Sequence, residues 1–112
     1  MSNPATVSQW NYTEEELQIL VGKRLLVGMA HYNAGGTVIS RDQFHGVIER
    51  VNFKEGLVVR LNGSDKERAV PLDFSDFKKA RPGEYRLTGT DEVVKDPDYT
   101  MTLNLYPGGS KR

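Results

Sequence analysis

The sequence predicts one mainly-β domain: a small barrel of five or more short antiparallel strands, with a short N-terminal helix and an added C-terminal strand. The chain has 112 residues, which is enough for one hydrophobic core and too few for two independent ones. From Lys23 onward, short stretches of alternating apolar residues are separated by glycine, proline and asparagine turns. Several short strands with tight turns in so small a chain favour a barrel.

The helix is predicted directly after Thr13. Thr13 and Glu16 have the spacing of a capping box, in which each side chain accepts a hydrogen bond from the other residue's backbone N–H. Gly22 is placed to end the helix, since glycine readily adopts the left-handed conformation that follows a helix C-terminus. The helix would therefore have about two turns.

The strand pattern continues to the end of the chain. The first predicted strand, residues 23–32, has apolar residues on both faces, which indicates that both faces are covered. The second strand loses its alternation at Glu49 and Arg50, which predicts a bulge or a strong bend. Pro71 predicts an edge strand or a strand end, and residues 72–77 predict a single 3₁₀ turn. The other predicted elements are a strand over residues 57–61, a hairpin over residues 85–95 and a last strand over residues 99–106.

The domain is expected to cover residues 10–106. Residues 1–9 are polar and have no periodicity, which predicts a disordered tail. Residues 107–112 begin with a Pro-Gly-Gly sequence and are predicted to form a second disordered tail.

Composition narrows the classes of function. The chain has no cysteine, which excludes disulfides and thiolate metal ligands. Its 15 basic and 15 acidic residues give a formal net charge of zero, so no overall field attracts nucleic acid or anionic lipid. The N-terminus lacks the pattern of a secretory signal, and no stretch approaches the length of a membrane span. We therefore expect a cytoplasmic protein without a membrane partner.

No catalytic, cofactor or metal site is predicted. His31 and His45 could lie on neighbouring strands, but two imidazoles without a cysteine are an incomplete zinc site. The acidic residues of segment 91–98 lack the glycine and glutamate spacing of a calcium-binding loop. Ser40, Asp42 and His45 are close in sequence, yet no nucleophile elbow or phosphate-binding loop motif accompanies them.

Several strand and turn segments resemble those of small uncharacterised bacterial proteins with SH3-like barrels. These segments are residues 21–28, 44–48, 55–61, 71–73 and 82–87. The resemblance covers about residues 20 to 100 of this sequence and implies an SH3-like barrel. It implies no substrate, cofactor or catalytic residue, because fold alone does not determine function.

We interpret the protein as a non-enzymatic binding module that engages a protein or peptide through barrel loops. The predicted partner-binding residues are Tyr32, Phe77 and Tyr85 as aromatic anchors, with Arg41 and Lys78 as rim charges. The same aromatics could instead plug the ends of the barrel.

Two other functions stay open at this point. One is a weak RNA- or DNA-binding barrel, which would use Lys78, Lys79, Arg81 and Arg86 with nearby aromatics. The other is a small enzyme, which would require a deep pocket with convergent polar groups.

Overall fold

A computed structural model describes residues 12–87 and 91–107 of the chain. One α-helical turn, α1 (Glu14–Leu17), continues into a 3₁₀ turn over Gln18–Leu20. Eight strands follow: β1 Arg24–Tyr32, β2 Val38–Asn52, β3 Gly56–Leu61, β4 Glu67–Val70, β5 Phe77–Lys79, β6 Glu84–Arg86, β7 Val93–Lys95 and β8 Tyr99–Leu105. Strands make up 54% of the described residues, which contain this one short helix, so the predicted mainly-β class is confirmed.

The helix forms where its capping residues predict it. Thr13 Oγ1 accepts from the backbone N–H of Glu16 at 3.0 Å, and Glu16 Oε1 accepts from the N–H of Thr13 at 3.0 Å. Such a cap contributes about 1 kcal/mol to helix stability. Leu17 and Leu20 are buried on the side that faces the sheet. The helical segment is therefore fixed both by its cap and by its apolar face.

Six strands form one sheet in the order β4-β3-β2-β1-β8-β5, and β6 and β7 form a separate hairpin. β8 pairs with β1 in parallel and with β5 in antiparallel orientation. The sequence predicts this added C-terminal strand without giving its orientation, and the structure shows that it runs parallel to β1. A parallel pair needs a crossover connection, which here includes the β6–β7 hairpin.

The start of β8 is fastened to the start of β1. Arg24 N–H donates to Asp98 Oδ2 at 2.8 Å, and Asp98 N–H donates to the Arg24 carbonyl at 3.0 Å. The Arg24 guanidinium also donates to the carbonyls of Lys95 and Asp96. These bonds set the register in which Leu25 lies opposite the first residue of β8.

The two faces of β1 contact different partners, as the two-sided apolar pattern predicts. Leu25, Val27 and Met29 belong to the main core, together with residues of α1, the 3₁₀ turn, β2, β3, β4 and β8. Leu26, on the opposite face, packs against Leu87 and against residues of the β6–β7 hairpin. We call the face of β1 that carries Leu26 the outer face of the sheet.

Hydrogen bonds do not close the sheet into a barrel within the described residues. Its edge strands β4 and β5 are consecutive in the chain and are joined by residues 71–76. That connection contains one turn, in which Phe77 N–H donates to the Phe74 carbonyl at 3.3 Å, the hydrogen-bond spacing of the predicted single 3₁₀ turn. Barrel closure therefore stays a prediction.

Most residues of the two predicted tails lie outside the described residues. The tail predicted over residues 1–9 lies outside them, and so do residues 108–112 of the second predicted tail. Pro107 is described and is exposed. No helix among the described residues is long and apolar enough to cross a membrane.

The long strand β2 pairs with two neighbouring strands along different parts of its length. It pairs with β1 through residues 38–47 and with β3 only from Gly46 onward. The register shifts between Ile48 and Arg50, which confirms the predicted bulge. Gly46 is required by a close approach, because a Cβ there would lie 1.9 Å from the Arg60 carbonyl oxygen.

We predict that Gly46→Ala destabilises the fold by about 1–3 kcal/mol or more, the usual cost of overpacking, because the backbone of β3 cannot move away cheaply. The matched control is Gly28→Ala, also within a strand, where an added Cβ meets nothing within 4 Å. Chemical denaturation measures both free energies of unfolding. Equal stabilities for the two variants would contradict the close approach of β3 to Gly46.

Candidate functional site

The structure divides the five predicted partner-binding residues among three places. Tyr32 and Arg41 lie at the same end of the outer face, on β1 and β2. Phe77 and Lys78 lie on β5, and Tyr85 lies on β6. The predicted single surface is wrong for the residues of β5 and β6, because strand register and the alternation of side chains place them away from Tyr32 and Arg41.

Phe77 belongs to the side of the main core. Its ring stacks on Tyr99 at 5.0 Å and meets Phe74 edge-on at 5.0 Å. Phe77 is level with Val27 through the β5–β8–β1 register, so Tyr32 lies five residues, or about 16 Å, further along the sheet.

Lys78 and Tyr85 occupy different surroundings from Tyr32. Lys78 is exposed, and its Nζ lies 3.6 Å from Asp76 Oδ1. Tyr85 is half-buried against the small cluster of Leu26, Leu87 and Val94, and its hydroxyl donates to a backbone carbonyl at 2.8 Å. The Tyr85 ring therefore contributes to packing of the hairpin on the outer face.

A cleft of about 250 Å³ lies on the outer face beyond the hairpin. We call it the outer cleft. Its floor is made by Gly28 and Ala30, and hydrogen-bonding side chains stand on the flanking strands. The full lining is Gly28, Met29, Ala30, Arg41, Asp42, Gln43, Thr102 and Asn104.

Gly28 leaves the floor of the outer cleft open. Its φ is not in the left-handed region, and an added Cβ would meet no atom of the described residues within 4 Å. Neither backbone geometry nor packing therefore requires glycine here, although glycine weakens a strand interior. A glycine of this kind permits another molecule to approach the sheet closely.

The far end of the cleft carries an aromatic wall. Tyr32 and Tyr106 stack with ring centroids 4.7 Å apart and an interplanar angle of 12°. The Tyr32 hydroxyl donates to Asn104 Oδ1 at 3.2 Å, which ties the wall to β8. The wall is therefore held in place before any ligand arrives.

Arg41 supplies the charge at the rim of the cleft. It lies opposite Ala30 in the β1–β2 register and is exposed. Its guanidinium has no ion pair or side-chain hydrogen bond among the described residues, unlike the neighbouring Asp42, which accepts from Arg68 at 2.8 Å. The side chain best placed to meet a ligand charge is therefore positive.

The near end of the outer face is covered by the β6–β7 hairpin. Val94 and Leu87 pack on Leu26, and His45 Nε2 lies 2.5 Å from Glu92 Oε2. The hairpin therefore covers the level of Leu26 and His45, and the outer cleft begins at the next pair on the same face, Gly28 and Gln43.

The residues considered for a metal site are not brought together in the structure. His31 and His45 lie on opposite faces of neighbouring strands. Asp96 accepts from Gly83 N–H at 2.7 Å, and Asp98 is bonded to Arg24, so these carboxylates are engaged separately. Within residues 12–87 and 91–107, no three His, Asp or Glu side chains are grouped as metal ligands.

A second cavity of about 250 Å³ lies beside the helix. Tyr12, Phe74, Phe77 and Tyr99 form a chain of ring contacts along it, and Ile19 is 70% exposed at its rim. We assign no ligand to this cavity.

Comparison of the chain with protein-family models, with curated protein sequences and with solved structures found no match. Interpretation of the site therefore depends on its own residues. Sequence reasoning missed Gly28, Thr102, Asn104 and Tyr106. The isolated glycine within the first strand is the signal that could have located the cleft.

Away from the cleft, Arg50 forms hydrogen bonds with two carboxylates beside the bulge of β2. Its guanidinium donates to Glu55 at 2.8 and 2.9 Å and to Glu67 at 3.0 Å. These hydrogen bonds lower the pKa of Glu55 to about 2 and lower that of Glu67, and they raise the pKa of Arg50. The network is exposed and joins β2 to β4.

We predict that this network stabilises the fold above pH about 4.5, the ordinary pKa of a glutamate, and loses its effect as pH falls towards 2. The direction follows because the folded pKa is lower than the unfolded one, so the unfolded state binds more protons in this range. Glu55→Gln should reduce the fall in melting temperature between pH 4.5 and 2. An unchanged pH profile would contradict the role of Arg50.

Proposed function

We propose that the protein is a non-enzymatic binding module that takes up a segment of a partner protein in the outer cleft. Gly28 is the observation that carries the proposal, because its open space serves neither the backbone nor the core. Around this floor stand hydrogen-bonding groups, the exposed cation of Arg41 and a fixed aromatic wall. Such a mixture of aromatic and arginine side chains is typical of protein interfaces.

The size of the cleft favours a segment of protein over a cofactor. Pockets that enclose small molecules usually have about 300–1,000 Å³, which is more than the 250 Å³ of this cleft. The only acid in the lining, Asp42, is held by Arg68. The lining therefore offers hydrogen bonds and charge rather than a group poised for proton transfer.

The charges of the described residues favour protein over nucleic acid. Lys78 and Lys79 are neighbours on β5 and point to opposite faces. Arg86 is next to the inward-facing Tyr85 on β6 and is exposed. These cations do not line one groove that could follow a phosphate backbone.

We infer that the six-stranded sheet is an SH3-like arrangement with one strand added. The bent strand β2 is shared by β1 and β3, and the edge strands β4 and β5 are consecutive in the chain. The added strand is β8, which lies between β1 and β5.

The test is to fill the outer cleft. Gly28→Val should leave the melting temperature unchanged or higher, because valine favours strands, and should weaken binding about tenfold or more, or about 1.4 kcal/mol. The probes are peptides selected from a random 12-residue display library against the wild-type protein. The control is Ser40→Val, which places a valine on the face of β2 that is opposite to the outer cleft. This variant should bind the peptides as the wild type does.

Amide NMR spectra locate the bound peptide. The proposal expects shifts at Gly28, Arg41, Thr102 and Asn104. Selected peptides that bind Gly28→Val as tightly as wild type, or that shift only the cavity beside the helix, would overturn it. Single-stranded RNA that binds at the outer cleft more tightly than any selected peptide would replace it with the nucleic-acid function.

A further inference from the structure

The outer cleft has a hydrogen-bond donor on each of its two flanking strands. Ala30 of β1 pairs with Arg41 of β2 on one side and with Asn104 of β8 on the other. Residues at one level of neighbouring strands point to the same face of a sheet, and all three line the cleft. A group bound at this level therefore meets a guanidinium on one side and a carboxamide on the other.

The aromatic wall fixes the orientation of the Asn104 carboxamide. Its Oδ1 accepts from the Tyr32 hydroxyl at 3.2 Å, so the nitrogen with its two N–H donors is the end left for a ligand. Within residues 12–87 and 91–107, the side chains of Asn104 and Arg41 donate no hydrogen bond. The donors on both flanking strands are therefore available to a bound group.

The charge of Arg41 is not balanced by the described lining of the cleft. The only carboxylate in that lining belongs to Asp42, which lies 2.8 Å from the Arg68 guanidinium. Because Asp42 follows Arg41 directly along β2, the two side chains point to opposite faces of the strand. The cleft therefore offers donors and one positive charge, which match a ligand group that has acceptors and a negative charge.

We propose that the partner segment carries a glutamate or aspartate whose side-chain carboxylate enters the outer cleft and accepts hydrogen bonds from Arg41 and Asn104. An ionised carboxylate only accepts, and its two oxygens have enough lone pairs for both donors. Hydrogen bonds between a guanidinium and a carboxylate are among the strong ones in proteins. This inference depends on the proposed function, since it names the side chain by which the segment is held.

The size and charge of the cleft favour one acidic side chain as the bound group. Its 250 Å³ is less than the roughly 300 Å³ of the smallest pockets that enclose whole small molecules, so it accommodates a side chain of the segment. Arg41 is the only cation in the described lining and can neutralise one carboxylate. A nucleic acid brings a row of phosphates, which require several cations along one groove.

The experiment uses the full chain and the display-selected peptides, synthesised with acetylated and amidated ends so that every carboxylate belongs to a side chain. Each acidic residue of a peptide is replaced in turn by its amide, which removes the charge and keeps the shape. Replacement of the anchoring residue should weaken binding about tenfold, the range of a hydrogen bond to a charged group. The side-chain N–H signals of Arg41 and Asn104 should shift with the acidic peptide and not with its neutral version.

Two variants of the protein identify the donors, and melting temperatures check that each is folded. Arg41→Gln should weaken the acidic peptide about tenfold and its neutral version less than about twofold. Asn104→Asp keeps an oxygen that accepts from Tyr32 but replaces the donor with a carboxylate, so it should weaken the acidic peptide about tenfold or more. The matched controls, Arg86→Gln on β6 and Asn62→Asp in the turn after β3, change exposed residues and should bind as the wild type does.

The two proposals fail separately. If selected peptides occupy the outer cleft without an acidic residue, or if their neutral versions bind equally well, the acidic anchor is wrong while the binding module stands. The same holds if binding requires only a free C-terminal carboxylate, or if a concentration-dependent dimer shifts the Arg41 and Asn104 signals without peptide. If the selected peptides do not occupy the cleft at all, both proposals are wrong.

Discussion

The hydrogen bonds between Arg24 and Asp98 place β8 beside β1, and the remaining architecture depends on this contact. Without it, β1 would be an edge strand on that side and β5 would have no partner in the sheet. The contact uses backbone groups of both residues and one carboxylate oxygen, so it fixes direction as well as position. Residue Asp96, at φ 46°, supports it by turning the chain between β7 and β8.

Placing β1 in the middle of the sheet creates two faces to be covered. The main core covers one face along most of the strand. On the other face, the β6–β7 hairpin has strands of only three residues, which pack on Leu26 and not on the half-buried Gly28 further along β1. The outer cleft thus forms because the β6–β7 hairpin is shorter than β1.

Local signals predicted much of this fold. The capping box located the helix, the apolar residues on both faces of the first strand predicted two coverings, and the lost alternation at Glu49 and Arg50 predicted the bulge. These features depend on neighbours in the chain, which periodicity reports directly. The parallel partner of β1 could not be predicted, because periodicity does not say which distant strand pairs with it.

The candidate site was predicted only in part for the same reason. Tyr32 and Arg41 lie at one end of the sheet, since both flank the first turn. Phe77 and Tyr85 were grouped with them by loop analogy, yet register places Phe77 about 16 Å away and on the core side. A side chain's face depends on strand register, and one residue of slip reverses it.

The parallel placement of β8 is tested most directly by proton NOEs in the full-length protein. The structure predicts contacts that join Gly28 with Thr102 and Met101 with Phe77, in parallel register with β1 and antiparallel register with β5. Contacts that pair β1 with β8 in antiparallel register, or contacts between β1 and β5 directly, would contradict this account of how the outer face is formed.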